Sequence, residues 1–284
     1  MPELPEVETV RRGLAPYLEN RLLTEVRLNR PDLRFPFAPG MTDRLNGARI
    51  LRLTRRAKYI LAETDRDDRL VIHLGMSGRF TIIDPKQTAE NAPGMFVHAQ
   101  ETRPQHDHVV FRTEDGVEIV YNDPRRFGYM LMYGPKDEDP FRDVGPEPLS
   151  NEFSGPYLAH ALKGRKMPIK AALLDQRIVA GLGNIYVCEA LFRSGISPRR
   201  LAGNVGAKRC ERLAVAVRDV LSAAIEAGGS TLRDYAHADG GLGYFQHSFD
   251  VYGRETKPCH TCSAAIQRIV QSGRSTFFCA NCQS

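Results

Sequence analysis

Four cysteines near the end of the chain carry its most specific chemical signal. Cys259-His-Thr-Cys262 and Cys279-Ala-Asn-Cys282 form two CxxC pairs separated by sixteen residues. Two such knuckles suit one tetrahedral zinc ion, Zn2+. Four thiolates close its coordination, so the ion is structural rather than catalytic. The insert QRIVQSGRSTFF alternates about Ser272-Gly273 and reads as a β-hairpin, making the unit a zinc ribbon. On the order of 10–16 kcal/mol of apparent binding energy would fold a tail too small to fold alone. Two disulfides are the competing reading, which a reducing compartment disfavours. A redox CxxC needs a βαβ setting that the sequence lacks here. Cys188 and Cys210 read as small buried residues. Arg274, at the hairpin turn, is equally a solvated turn arginine or a phosphate contact.

The opening MPELPE holds a second constellation. Methionine is commonly trimmed before small residues, and trimming makes Pro2 a terminal secondary amine. An α-amino group titrates near 7.7–8.0, well below lysine at about 10.4. A useful fraction of it is then a neutral nucleophile at physiological pH. Attack on a sugar C1′ gives an iminium with no N–H to lose. The retained positive charge acidifies the C2′ hydrogen and favours loss of a 3′ phosphate. Glu3 and Glu6 lie one helical turn apart and can share a face with Pro2. Glu3 could act as acid and base at the sugar ring oxygen, and Glu6 could orient the site. Both also suit simple complementation of a helix N-terminus, the commoner role for acids there.

The elements that must hold these groups follow from periodicity. A short helix opens the chain: Pro5 suits its first turn, and Val7, Val10 and Leu14 make one buried stripe. Pro16 predicts an early stop. From Arg21 to about Tyr133, segments such as LTEVRLN, RILRLT, KYILAET, RLVIHL, RFTIID, HVVFRT and VEIVYND are short and β-branched. They predict an antiparallel β-sandwich or barrel. Residues 85–104 lack periodicity and read as a long loop. Gly134–Pro148 is rich in proline and charge and reads as a linker. Helical periods follow in YLAHALK, PIKAALLD, NIYVCEALFRSG and Ala207–Ala227. The fold class is therefore α+β and multidomain. The expected divisions are 1–133, a β-sandwich with an N-terminal helix; 134–148, a linker; 149–250, helical; and 251–284, the ribbon.

The chain has 284 residues, 42% of them hydrophobic, enough for one large or two moderate cores. Its formal net charge of +5 does not by itself identify a polyanion partner. The distribution says more: RILRLTRRAK, Arg49 to Lys58, holds five basic residues and no acid. Such a patch fits phosphate contacts. The acidic start lacks the pattern of a secretion signal, and no apolar run spans a bilayer. The expectation is a cytoplasmic protein with no membrane partner.

PELPEVETVRRGL, RRAKY around Lys58, HLGMSG around Met76, NDPRRFG around Phe127, VGPEPL, AGLGNIYVCEALF, GGSTLRDY, GYF…VYGR and the closing cysteines appear in a specific order. Together they resemble the formamidopyrimidine-DNA glycosylase family over nearly the whole chain. PELPEV resembles its purine-directed branch; the sister branch, endonuclease VIII, typically begins PEGPE and prefers oxidised pyrimidines. The resemblance implies a bifunctional glycosylase and abasic-site lyase that removes 8-oxoguanine and formamidopyrimidines and cleaves the strand by β,δ-elimination. It implies Pro2 as Schiff-base nucleophile, Glu3 as the acid opening the sugar, and Glu6 as a second pocket carboxylate. Lys58 would bind phosphate and assist catalysis; by itself it is one cation in a basic strip. Met76, Arg125 and Phe127 would form a wedge filling the gap left by an extruded nucleotide. Without the resemblance, Met76 and Phe127 read as core.

AGLGNIY resembles the turn of a helix–two-turn–helix motif, with Gly181 and Gly183 permitting the turns and Asn184 capping the next helix and contacting phosphate. Lys170 and Arg274 match further phosphate or lesion contacts, and His106 is a further DNA contact. Residues 230–244 correspond to a loop covering the flipped base. The implied partner is duplex DNA with oxidised purines or abasic sites, bound by a nucleoid-associated monomer. Residues 85–104 look longer than the family's usual loop. Two rivals remain: a pyrimidine-directed glycosylase, and a non-enzymatic zinc-ribbon DNA-binding protein, against which the intact Pro2, Glu3 and Lys58 set argues. An RNA partner finds no matching module.

Overall fold

The computed structural model describes residues 1–86, 103–230 and 245–284. They fall into two compact units. The first is Met1–Pro140 with the short stretch opening at Gly228; the second is Phe141–Ala227 with the chain from Phe245 to Ser284. Among the described residues no helix is long and apolar enough to cross a membrane. The expected long loop at 85–104 and covering loop at 230–244 lie mostly outside the described residues. At the end of the former, Pro104 opens a single 3-10 turn, Pro104–His106.

In the first unit, helix α1 spans Leu4–Leu18, with Glu3 at its N-cap and Pro5 in its first turn. Glu6 reaches back to accept the Glu3 backbone N–H at 2.9 Å, one half of a capping box. The stripe of Val7, Val10 and Leu14 is buried, and Leu18 extends it. The early stop at Pro16 does not occur. Proline removes one backbone bond, but two further residues stay helical because Leu18 gains a place in the core. The Glu19 N–H then closes the last turn on Ala15 O at 2.9 Å.

Eight strands follow: β1 (Arg21–Leu28), β2 (Arg49–Arg56), β3 (Tyr59–Thr64), β4 (Arg69–His73), β5 (Arg79–Ile83), β6 (Asp107–Thr113), β7 (Glu118–Asn122) and β8 (Tyr129–Tyr133). A short helix α2 (Met41–Leu45) lies between β1 and β2. The sheet is antiparallel, in the order β5-β7-β6-β1-β2-β3-β4-β8. Strand β1 is the crossover. Arg21 and Leu22 pair with β2, and from Leu23 onward the strand pairs with β6, with a register shift between Leu23 and Glu25. The intervening Thr24 hydroxyl donates to the carbonyls of Arg112 and Thr113. A bulge of this kind turns a strand from one layer toward another. Side chains two apart then face one core: Ile60 and Ala62, Leu70 and Ile72, Val109 and Phe111, Ile119 and Tyr121, Met130 and Met132. The α1 stripe closes the same core, and α1 packs on β2 and β3.

The second unit is built on α3 (Gly155–Leu162), α4 (Ile169–Leu174), α5 (Asn184–Arg193) and α6 (Ala207–Glu226). Helix α6 packs on α3 and α5, and α4 packs on α5. Ser154 caps α3 by accepting the Tyr157 N–H at 3.2 Å. Residues 141–148 lie against the turn before α5: Gly145 N–H bonds Gln176 O, and Ala180 N–H bonds Pro146 O. The expected hairpin is β9 (Gln267–Gln271) and β10 (Arg274–Phe278), joined through Ser272 and Gly273, both at positive φ. That is the turn whose twist matches paired strands. Cys188 and Cys210 are buried, as their composition suggested. Cys188 shares a small apolar cluster with Val251, Cys259, Ile266 and Cys279, which roots the ribbon on α5.

Leu14 is fully buried in the core that α1 shares with the sheet. Leu14→Ala should cost about 2–5 kcal/mol of stability. Equilibrium urea unfolding checks this; a change under 1 kcal/mol would mean that α1 is not held by that core.

Candidate functional site

The head of α1 brings Pro2, Glu3 and Glu6 together, all buried, while Met1 is 51% exposed. Burying a carboxylate is costly unless donors replace water. Glu6 meets that demand with its Oε2 on the Glu3 N–H and its Oε1 on Ser230, taking the backbone N–H at 2.8 Å and the hydroxyl at 2.9 Å. Gly229 approaches so closely that a Cβ there would lie 3.2 Å from Glu6 Oε1. Glu6 therefore ties the start of the chain to residues 229–230, a link that sequence alone did not suggest. With three donors engaged, it is an acceptor that holds geometry.

Lys58 lies at the β2–β3 turn, after Ala57 at φ +52, and is 7% exposed. Its charge reaches His73 at the end of β4, a residue the sequence reading passed over as one more strand position. Burial, then the charges of Lys58 and Arg34, push His73 down to about 4, with Asp123 opposing. The ring stacks on Tyr129 at 5.0 Å and 20° and accepts the Gly75 N–H at Nδ1. The proton of the neutral ring is thus on Nε2. Tyr129 and Tyr59 are linked by a 2.9 Å hydroxyl bond beside it.

The next turn carries Met76, half-buried, and a second turn carries Arg125 and Phe127, both exposed. Backbone contact joins the two. A Cβ on Gly75, which has φ +66, would lie 2.3 Å from Gly128 N and 2.4 Å from Phe127 C. A Cβ on Gly128 would meet the Tyr121 hydroxyl. Each site thus requires a residue without a side chain. The Arg125 guanidinium lies 4.8 Å over the Phe127 ring. His106 is half-exposed nearby, its carbonyl accepting the Asp123 N–H at 3.0 Å. Met76 and Phe127 are thus not core residues: Phe127 is 44% exposed.

In the second unit, Lys170, Asn184 and Arg274 meet at the start of β10. Asn184 does not cap α5. Gly183 is the N-cap, in extended backbone, and Asn184 is the first helical residue. Its side-chain amide instead donates to Ser275 O at 2.9 Å and reaches the Tyr252 hydroxyl at 3.5 Å. Distant contacts outcompete the local cap because they satisfy a strand carbonyl that helix packing brings alongside. Lys170 is 1% exposed and donates to Ser275 O at 3.0 Å and Thr276 Oγ1 at 2.6 Å. It braces the strand on which Arg274 stands exposed. Tyr252, within VYGR, carries no role legible from its neighbours in sequence. The fully buried Glu189 holds its segment, accepting the N–H groups of Asp250, Val251 and Tyr252 at 2.8–3.0 Å. Burial raises the Glu189 carboxyl, against the pull of these donors.

The four cysteine sulfurs lie within 4.8 Å of one another. Cys262 and Cys279 are 3.4 Å apart and Cys259 and Cys282 are 3.9 Å apart, far beyond a disulfide bond of roughly 2.05 Å. A metal–sulfur bond of roughly 2.3 Å puts tetrahedral sulfurs about 3.8 Å apart, so the cluster fits one tetrahedral ion. Gln283 fastens the second knuckle, accepting the Cys279 N–H and donating to Ile196 O, each at 2.8 Å.

The basic run in β2 proves to be largely paired. Arg49 meets Glu114, Arg52 meets Glu63 and Arg55 meets Glu8, acids that the fold brings from other elements. It is therefore not the open positive patch that its composition suggested.

Residues 1–130 match the formamidopyrimidine-DNA glycosylase N-terminal domain, and residues 144–236 match the H2TH domain of the same enzyme. Residues 257–284 match a zinc finger found in FPG and IleRS. The formamidopyrimidine-DNA glycosylases of Phenylobacterium zucineum and Ruegeria pomeroyi are 58% and 57% identical, with both chains covered in full. The crystal structure of MutM (Fpg) from Thermus thermophilus is similar at a TM-score of 0.83 and 39% identity, covering 99% of this chain and 98% of that one. The Lactococcus lactis Fpg bound to DNA containing an abasic site is similar at 0.85 and 31%, covering 99% of each.

Two outcomes follow from this geometry. Between pH 6.5 and about 4 the unfolded chain takes up a proton at His73 that the folded chain refuses. Stability from this group is complete above 6.5 and falls by up to about 3 kcal/mol as pH drops through the window. Urea titrations at pH 7 and 5 should show His73→Gln losing less stability on acidification than wild type; equal losses would refute the assignment. Cys279→Ser should lower bound metal, measured by elemental analysis, and expose β10 amides to hydrogen exchange. Full metal retention would disprove the four-thiolate site.

Proposed function

This chain belongs to the formamidopyrimidine-DNA glycosylase family of DNA-repair enzymes, and on that footing we propose that it excises oxidised purines through Pro2 and then cleaves the strand. The observation that carries the proposal is Pro2 buried beside two buried carboxylates, Glu3 and Glu6, at the head of α1. Such a cluster weakens a core, and a reactive site accounts for it.

With Met1 removed, the Pro2 nitrogen attacks C1′ of the damaged nucleotide. The base leaves with the C1′–N electron pair and takes a proton. Glu3 protonates the sugar ring oxygen, the ring opens, and the Pro2 nitrogen pair forms the iminium. Loss of the C2′ proton expels the 3′ phosphate, and a second elimination expels the 5′ phosphate. Water then releases the sugar remnant and restores the amine. Glu6, with three donors engaged, keeps Glu3 and Ser230 in register.

The DNA partner is a duplex containing 8-oxoguanine, a formamidopyrimidine or an abasic site, bound by a monomer. Lys58, Asn184 and Arg274 contact its phosphates, and His106, whose carbonyl accepts the Asp123 N–H, adds a further DNA contact. Lys170 acts as the brace beneath Arg274. Met76, Arg125 and Phe127 enter the base stack, as the exposure of Arg125 and Phe127 and the joining of their turn to that of half-buried Met76 support. The metal is zinc, held by Cys259, Cys262, Cys279 and Cys282; when bound it supplies structural cross-linking of the hairpin. Binding through phosphates makes affinity fall with salt.

Borohydride should trap a covalent adduct between the Met1-processed enzyme and an 8-oxoguanine duplex. Pro2→Gly should reduce trapping by on the order of 100-fold or more. Nicking at full rate by a chain that retains Met1, verified by intact mass, would sink the proposal. Faster action on thymine glycol than on 8-oxoguanine would instead favour the pyrimidine-directed branch.

A further inference from the structure

The wedge residues stand on two turns separated by some fifty positions in sequence. An exposed aromatic ring on a loose turn would bend away from a base stack. Something must make the two turns one rigid body. Asp123 has the required contacts. It is completely buried, yet its carboxylate contacts both turns. Oδ1 accepts the Ser77 hydroxyl at 2.5 Å, next to Met76. Oδ2 accepts the Gly128 N–H at 2.9 Å, next to Phe127, and the Tyr121 hydroxyl at 3.4 Å. The same Ser77 oxygen accepts the Arg125 N–H at 3.2 Å. The Asp123 carbonyl holds the buried His108 ring at 2.9 Å and the N–H of Arg126 at 3.2 Å. Arg126 takes φ +54, a left-handed conformation that a non-glycine residue keeps only when its surroundings impose it.

We infer that Asp123 is the positioning residue of the wedge: by binding Ser77 and Gly128 with one carboxylate, it locks the Met76 turn to the Arg125–Phe127 turn. Extrusion of a nucleotide from duplex DNA then depends on Asp123, whereas the chemistry at Pro2 does not. Asp123 touches no reacting atom. The inference rests on the glycosylase reading above, and the test separates the two.

The test compares excision of 8-oxoguanine from a duplex with strand cleavage at an abasic site in a short single strand. The second substrate needs no wedge. Asp123→Ala should slow duplex excision by on the order of 10- to 100-fold, the scale of an ångström of misplacement. Single-strand cleavage and borohydride trapping should stay within about threefold of wild type, under 1 kcal/mol. Ser77→Ala removes the Ser77 bonds to Asp123 and to the Arg125 N–H but keeps the Asp123–Gly128 bond, so it should show the same split at smaller size. It also carries the test if Asp123→Ala does not fold. Equal rates on the duplex, or parallel losses on both substrates, overturn the inference, since a merely structural aspartate would lower both alike. A wild-type protein inert on both substrates defeats the glycosylase reading instead. Active wild type with unaffected variants defeats this inference alone.

Discussion

A buried carboxylate must find hydrogen-bond donors, and three of those buried here, Glu6, Asp123 and Glu189, bind together segments remote in sequence. Glu6 joins the first turn of α1 to residues 229–230. Asp123 joins the turn after β4 to the turn before β8. Glu189, on α5, gathers three successive amides of residues 250–252. An unpaired acid at any of these depths would be destabilising, so each network is complete or the local structure changes. The candidate site residues are neighbours of these acids: Pro2 and Glu3 beside Glu6, and Met76 and Phe127 beside Asp123.

The apolar framework serves the same end by different means. In the first unit, alternating strands and one helical stripe enclose a single core, and the polar turns project from its rim. In the second, helix packing leaves the start of β10 where Lys170 and Asn184 both reach its backbone. The ribbon itself has little core: a handful of apolar residues and cysteines root it on α5. A metal cross-link supplies what so small a hairpin cannot obtain from burial. Asn184 shows how such packing redirects a residue, from the cap that its position suggested to a strand carbonyl ninety-one residues away.

Electrostatics also changed meaning on folding. RILRLTRRAK reads as a strip of positive charge, yet Glu8, Glu63 and Glu114 arrive beside three of its arginines. The pairs at Arg49 and Arg52 are exposed and contribute little stability, but together with the half-buried Arg55–Glu8 pair they remove the patch. Lys58, last in the run, is instead buried, and its charge helps keep His73 neutral.

By itself the sequence determined what depends on neighbours along the chain. Period-two and period-3.6 patterns produced the strands and helices, because side-chain direction follows backbone geometry. The CxxC spacing defined the thiolate cluster, because its ligands come as adjacent pairs on knuckles. Pro2, Glu3 and Glu6 were legible because one helical turn sets their separation. Pro16 misled because helix propensity is weak against core burial of Leu18. His73, Asp123, Ser230 and Tyr252 gave no local signal for their roles, since each also needs a partner dozens or hundreds of residues distant: Tyr129, Ser77, Glu6 and Glu189. Only the tertiary structure decided those pairings, because a buried polar group is satisfied by whatever donor the fold delivers, and no periodicity encodes which donor that will be.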